Sequence, residues 1–206
     1  MTLEDAVVDV SQDWVHACDV QQRFMQGPAL GAGPLDYAAR CRQLKALGGD
    51  WYDFIPLAGD RLALAVGDAS GKGLAAALTM ASVQSSLRTA AWFTPTDLAA
   101  LLKVVNVQAY ASSSADRYAT LFYGLLDPAA RTLRYVNAGH NPPIIVREGG
   151  SVHRLEPTGA LLECSPIPAM RRASSGSLPA ICSSPTPMEW WKRRIPRAKN
   201  GAFPAS

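Results

Sequence analysis

Apolar side chains recur at helical spacing over residues 3–26, at Val7, Val10, Trp14, Val15 and Cys18 and on to Val20, Phe24 and Met25, so a helix is predicted there. Pro28, Gly31, Gly33 and Pro34 end it. Three strands are expected next, at about 35–41, 51–57 and 61–67, the last two joined by a turn at Ala58-Gly59-Asp60. In the third, Leu62, Leu64 and Val66 alternate with Arg61, Ala63 and Ala65, the period of a sheet with one face buried. Helical spacing returns at Ala76, Met80, Val83 and Leu87 within an alanine-rich stretch, 74–90. A further helix is signalled by Thr94 as its N-cap, Pro95 at its first position and Asp97 at its third, with Leu98, Leu101, Leu102 and Val105 on one face. Past Ser112-Ser113-Ser114, strands are predicted at about 119–126, 132–137 and 143–147, linked by turns at Asp127-Pro128 and Asn141-Pro142. Strands, a helix pair, then strands is the order of an α+β layered fold, not of a βαβ repeat.

Composition narrows the class. The chain has 206 residues, 48% apolar and 18% charged, which suits one principal globular domain. The net charge of +3 is concentrated late, at Arg171, Arg172, Lys192, Arg193, Arg194, Arg197 and Lys199. No aromatic stacking platform or reading helix accompanies these residues, so they indicate an unusual tail and no nucleic-acid partner. Cys18, Cys41, Cys164 and Cys182 lack CxxC spacing and suggest free thiols in a reducing cytoplasm. The start, Met1-Thr2-Leu3-Glu4-Asp5, is acidic where a signal peptide is basic, and no apolar run reaches membrane-spanning length.

The chemistry concentrates in two segments, Gly48-Gly49-Asp50-Trp51-Tyr52-Asp53 and Gly67-Asp68-Ala69-Ser70-Gly71-Lys72-Gly73. Each puts an aspartate at a strand edge beside glycines. Hard divalent cations take few oxygen ligands and keep several waters, so carboxylates in small surroundings suit Mg²⁺ or Mn²⁺. Either element alone is an ordinary turn; the pair points to a metal site in which Gly48, Gly49 and Gly67 clear space for hydrated ions. A phosphate-binding P-loop is excluded, because three residues, not four, separate Gly67 and Gly71 and Gly73 follows the lysine. Lys72 is either an attractor for a phosphorylated partner or a solvated loop lysine. Asp53 supports the site or is simply a strand residue. His140 is a ligand, an acid or a turn histidine satisfied by neighbouring backbone, and His16 and His153 stand alone.

These two segments, with Ala119-Thr120-Leu121-Phe122-Tyr123-Gly124-Leu125-Leu126-Asp127 and Tyr135-Val136-Asn137-Ala138-Gly139-His140-Asn141-Pro142-Pro143, resemble the successive motifs of the bacterial RsbU/SpoIIE-type serine phosphatases. That group lies within the metal-dependent (PPM, type 2C-like) phosphatase superfamily. The resemblance spans about residues 20–160 and implies a β-sandwich flanked by helices with two Mn²⁺ or Mg²⁺ ions at one end. By position, Asp68 would bridge both ions, Asp50 would hold one, and the Ala69 carbonyl would be a further ligand; Asp50 and Asp68 are thereby the catalytic pair. Paired ions of this kind generate hydroxide near neutral pH and clamp phosphoryl oxygens, so no nucleophilic side chain is needed. The implied activity is hydrolysis of phosphoserine or phosphothreonine on a phosphorylated anti-sigma-factor antagonist. The alternative is a pseudophosphatase that binds such a partner without turning it over.

The implied domain layout is a connector helix over 1–33, a phosphatase domain over 34–162 and an irregular Pro/Ser/Arg-rich tail over 163–206. The connector leaves two roles open: contact with a sensor or a second copy, or packing on the sandwich. The family pattern continues to Tyr-Thr-Asp-Gly-Val-x-Glu, whose aspartate is a principal ligand, and this chain lacks it, so the C-terminal part of the fold is expected to be missing. Codons for Met188-Glu189-Trp190-Trp191-Lys192, read one base earlier, can spell Asp-Gly-Val-Val-Glu. In the same frame Ala180 to Pro187 can give Asp-Leu-Leu-Phe-x-Tyr-Thr, and Glu163-Cys164-Ser165-Pro166 can give Gly-Val-Phe-Pro. The sequence therefore suggests a frameshift near Leu162/Glu163, caused by loss of one G.

Overall fold

A computed structural model describes residues 3–25, 35, 37–43, 46–112, 117–147, 150–162, 173–176 and 180–182. Helix α1 (Leu3–Phe24) precedes the hairpin β1 (Trp51–Leu57) and β2 (Arg61–Ala69). The helix pair α2 (Leu74–Phe93) and α3 (Leu98–Ser112) follows, and then β3 (Ala119–Asp127) and β4 (Thr132–Ala138). Short strands complete the fold: β5 (Ile144–Val146), β6 (Val152–Arg154), β7 (Ala173–Gly176) and β8 (Ala180–Cys182). An antiparallel five-stranded sheet runs β1-β2-β3-β4-β7, and a three-stranded sheet runs β6-β5-β8.

The β1–β2 hairpin turns through Gly59 and Asp60 with φ of 73° and 55°, left-handed values that glycine and aspartate tolerate best. Both faces of β2 are covered, not one. Ala63, Ala65 and Ala69 pack beneath α2 and α3 with Met80, Val83, Leu87, Leu101, Leu102 and Val105. Their small side chains let the helices lie close to the strand. Leu62, with Phe122, Leu126, Leu133 and Tyr135, faces Ile145 of the second sheet and Leu155, forming the sandwich core.

Several expected elements are corrected. Residues 37–43 pair in no strand; the apolar pattern of 35–41 reflects Leu35 and Tyr37 packing on the second core, with the Tyr37 ring 4.5 Å from that of Phe54. Thr94 does not cap α3. Its N–H and hydroxyl both donate to the Ala90 carbonyl, each at 2.8 Å, and so finish α2. Asp97 is the cap, its Oδ1 accepting from the Ala100 N–H at 3.1 Å. The tail, expected to be irregular throughout, supplies β7 against β4 and β8 against β5. The loop at Ser113-Ser114, the glycines and prolines after α1, and the tail's Arg171, Arg172 and 192–199 basic residues lie outside the described residues.

Asp53 ties the layers together. Its side chain is 1% exposed and takes a two-point ion pair from Arg88 of α2, with both bonds at 2.6 Å. Gln84 Nε2 donates to the same carboxylate at 3.1 Å and to the Phe24 carbonyl at the end of α1 at 2.7 Å. A buried carboxylate stripped of its cation is strongly destabilising, moderated here because Arg88 is 40% exposed. Arg88→Met is expected to lower unfolding stability in urea by about 2–3 kcal/mol, and Asp53→Asn in that background to recover part of the loss. A double variant no more stable than Arg88→Met would refute a dominant role for the unpaired charge.

Candidate metal centre

Strand register builds this site before any side chain is considered. Trp51 pairs with Gly67, so Asp50, just ahead of β1, stands opposite Asp68; Asp68 in turn pairs with Thr120 of β3. Directly opposed residues hold their Cβ atoms about 5 Å apart. Asp50, Asp68 and Thr120 thus form a polar row across one end of the sheet. Alternation places Asp68 on the same side as Leu62 and Leu64, away from the helices.

The two carboxylates sense each other. Burial first, then the charge of Asp50 and a side-chain hydrogen bond with it, raise the Asp68 pKa above the ordinary carboxylate value. Burial and the same Asp50 charge push the Cys41 thiol up to about 11. Among the described residues, neither Asp50 nor Asp68 has a cationic side chain in ion-pair contact. Two adjacent, solvent-exposed carboxylates with no cationic partner among the described residues form a donor set suited to a hard divalent ion, so the residues present fit the expected metal. No three His, Cys, Asp or Glu side chains cluster among the described residues.

His140 borders this row. Its Nδ1 lies 2.8 Å from the Thr120 hydroxyl, which donates to the Asp68 carbonyl at 3.5 Å. Burial lowers its pKa, and the Asp50 charge opposes that only partly, which favours a neutral imidazole. The reading of a turn histidine satisfied by neighbouring backbone is corrected: side chains, not backbone, hold it. The His140 N–H is held by Asn137 Oδ1 at 2.8 Å, whereas the ring pairs with a side chain of the polar row. Asn137 is fully buried and also donates to the Leu155 carbonyl at 3.0 Å. Gly139 completes the turn with φ 68° against Leu161, where a Cβ would collide.

The glycines make room for protein, not for hydrated ions. A Cβ on Gly67 would strike the Trp51 indole and the Thr120 carbonyl; on Gly49 it would strike the Ala69 carbonyl; on Gly48 it would strike the Gln43 amide. Gly49 and Ala69 are instead joined by an N–H to carbonyl bond of 3.2 Å, which brings the Ala69 peptide to the site's edge. Asp53 lies on the opposite, helix-facing side in its pair with Arg88, so it is a structural strand residue. Lys72 is exposed in the loop between β2 and α2, and His16 and His153 are exposed elsewhere.

Sequence reasoning missed two glutamines. Gln21 of α1 is buried and grips the Gly48 peptide from both sides: its Nε2 donates to the Gly48 carbonyl at 2.7 Å and its Oε1 accepts from the Gly48 N–H at 3.2 Å. Gln43 Nε2 donates to the Asp50 carbonyl at 2.6 Å. A glutamine in the apolar face of α1, at helical spacing from Cys18 and Phe24, was the available signal.

Residues 58–174 match the family described as Stage II sporulation protein E (SpoIIE). Protein IcfG of Synechocystis is 30% identical over 59% of this chain and 23% of its own length. Phosphoserine phosphatase RsbU of Bacillus subtilis is 25% identical over 80% of the chain and 49% of its own length. The chain thus spans about half or less of these curated relatives. Among solved structures, the RsbU and RsbW domains of Rv1364c from Mycobacterium tuberculosis superpose with a TM-score of 0.58 at 31% identity, over 68% of this chain and 39% of that one. The SiaA-PP2C domain of Pseudomonas aeruginosa shares the fold, with a TM-score of 0.65 at 17% identity over 84% and 70%. The matched stretch takes in more than half of the chain, with Asp68, Thr120 and the Asn137–His140 turn inside it, and on that ground the chain belongs to the SpoIIE family.

Proposed function

We propose that this chain is a divalent-metal-dependent protein serine/threonine phosphatase domain in which Asp50, Asp68 and the Ala69 carbonyl hold Mn²⁺ or Mg²⁺. The observation that carries the reading is the opposition of Asp50, just ahead of β1, and Asp68 of β2, with no cationic partner beside them among the described residues. Metal bound there supplies an acidified water and neutralises phosphoryl oxygens. The chain's own groups have narrower tasks. Asp50 and Asp68 bind; the Gly49–Ala69 bond fixes the position of a carbonyl donor; Thr120 and a neutral His140 form a hydrogen-bonding wall along the row. The substrate class we infer is a phosphoserine protein of the anti-sigma-factor-antagonist type, in line with the RsbU relative and the RsbU–RsbW neighbour. A pseudophosphatase is the second reading. It is favoured by the missing Tyr-Thr-Asp-Gly-Val-x-Glu segment and by the two-acid size of the described site.

Two measurements test these readings. In EDTA, Asp68→Asn should be more stable than the parent, by about 1 kcal/mol or less after solvent screening, because it relieves like-charge repulsion. The sign follows from the raised folded-state pKa: ionised Asp68 is disfavoured by folding at neutral pH, so removing its charge helps. With Mn²⁺ the order should reverse, as only the parent gains stability by binding, and phosphate release from a phosphoserine protein should be lost in the variant. Equal Mn²⁺ affinity of the parent, Asp50→Asn and Asp68→Asn in calorimetry would overturn the site. Mn²⁺ binding without turnover would select the pseudophosphatase.

We also propose that residues 163–206 are read out of frame. Sequencing across codons 155–195 should reveal Asp-Gly-Val-Val-Glu in the neighbouring frame, and the chain with the frame restored should bind Mn²⁺ at least tenfold more tightly, about 1.4 kcal/mol. Absence of those shifted codons refutes it.

A further inference from the structure

We propose that the depression beside the start of α2 receives the phosphate of the phosphoserine substrate, with Lys72 and Arg117 as its cationic walls. This rests on the phosphatase reading and names the residues that would recognise the group to be hydrolysed. The depression holds about 220 Å³ and is lined by Ser70, Gly71, Lys72, Ala75 and Arg117. Its Ser70 wall follows Asp68 by two residues and is bonded to Tyr118, two residues before Thr120, so it continues the Asp68–Thr120 pairing past the end of the polar row. A water occupies about 30 Å³ of liquid, so the space admits a phosphate group and part of its seryl arm.

Three features give the depression its chemistry. Among the described residues, neither Lys72 nor Arg117 is in an ion pair, so both cations are available to an incoming anion. Helix α2 starts behind Gly73 with no side-chain cap and no acidic residue in its first turn. Its leading N–H groups therefore lack a side-chain acceptor and add partial positive charge on the side where Ala75 lines the hollow. The two walls are also held together. The Ser70 N–H donates to the Tyr118 carbonyl at 2.8 Å and the Tyr118 N–H donates to the Ser70 hydroxyl at 3.0 Å, which fastens the Lys72 loop to the segment carrying Arg117. Gly71 and Gly73, at φ 96° and 74°, adopt backbone that other residues strain to reach, and a Cβ on either would meet open space. Those glycines shape the loop and leave the hollow clear.

A phosphate dianion suits this arrangement better than a single carboxylate. It presents three terminal oxygens to a guanidinium fork, an ammonium and helix N–H groups at once. The walls also answer a problem created by the neighbouring acids. Asp50 and Asp68 repel an approaching phosphate until metal neutralises them, and two cations on the entry side offset that field.

The test uses the full chain in EDTA, titrated calorimetrically with inorganic phosphate and with a phosphoserine peptide, beside the same peptide carrying glutamate. Lys72→Ala and Arg117→Ala should each weaken phosphate and phosphopeptide binding roughly tenfold, and Arg117→Lys should recover part of that loss. Lys103→Ala, an exposed charge removed from α3, should change nothing, and Asp68→Asn should bind phosphate as tightly as the parent or more so. Unchanged affinity in both wall variants would overturn the proposal. So would an equal loss in Lys103→Ala, which would mean bulk electrostatics, or a preference for the glutamate peptide, which would mean docking of an acidic flank. Because no metal is present, loss of Mn²⁺ binding in the site variants and loss of phosphate binding in the wall variants are separate failures.

Discussion

The candidate site depends on one register. Trp51 faces Gly67, and Gly67 faces Leu121, across three antiparallel strands. A slip of one residue at either interface would send Asp68 to the helix side and bring an alanine to the polar row, since side chains alternate with a period of two. Nothing in Asp68 itself prevents that. The register is fixed by shape: the Trp51 indole fills the space that Gly67 leaves, alanines on one face of β2 admit α2, and Leu62 on the other face enters the sandwich core. Packing sets the position of the carboxylates; the carboxylates do not set the packing.

Around that register, backbone peptides are held by side chains that have no part in chemistry. Gln21 fixes the Gly48 peptide, Gln43 the Asp50 carbonyl, Ser70 the start of β3, and Asn137 the turn that presents His140. Each is a neutral amide or hydroxyl satisfying a backbone group that no strand partner reaches, which is how irregular backbone is made affordable at the end of a sheet. The end of α1 belongs to this system, through Gln21 and through the bond from Gln84 to Phe24, while Trp14, Val15 and Val20 on the same helix stay exposed.

How much of this was legible in the sequence follows from what periodicity can carry. β1, β2, β3 and β4 span seven residues or more and were long enough to be read, β2 by its alternation, as were the three helices by their apolar spacing or capping signals. β6, β7 and β8, at three or four residues, are too short to carry a period. The segment 35–41 was read as a strand, yet its described residues pair in none, because Leu35 and Tyr37 satisfy their hydrophobicity through side-chain contact alone. Capping at Thr94 misled because a threonine that closes one helix through its i−4 carbonyl also stands three residues before the residue that opens the next. The acidic pair was legible from the Gly-Asp motifs. The role of the glycines was not, since the identity of the atoms that would collide with a Cβ exists only in three dimensions.

Asp53 and Asp50 show how parity alone separates structure from chemistry. Asp50 just precedes β1 and Asp53 lies three residues on within it, so in extended chain they project to opposite faces. Asp53 enters the helix layer, where Arg88 and Gln84 are already in place and its charge is satisfied within the protein. Asp50 projects toward Asp68, where two like charges meet no cationic partner among the described residues and the Asp68 pKa is raised. A fold that satisfies one aspartate so fully and leaves its neighbour opposed to another acid holds local electrostatic strain where binding can release it. On the proposed reading, the charge that relieves it is that of a hard divalent cation, whose oxygen preference matches the two carboxylates.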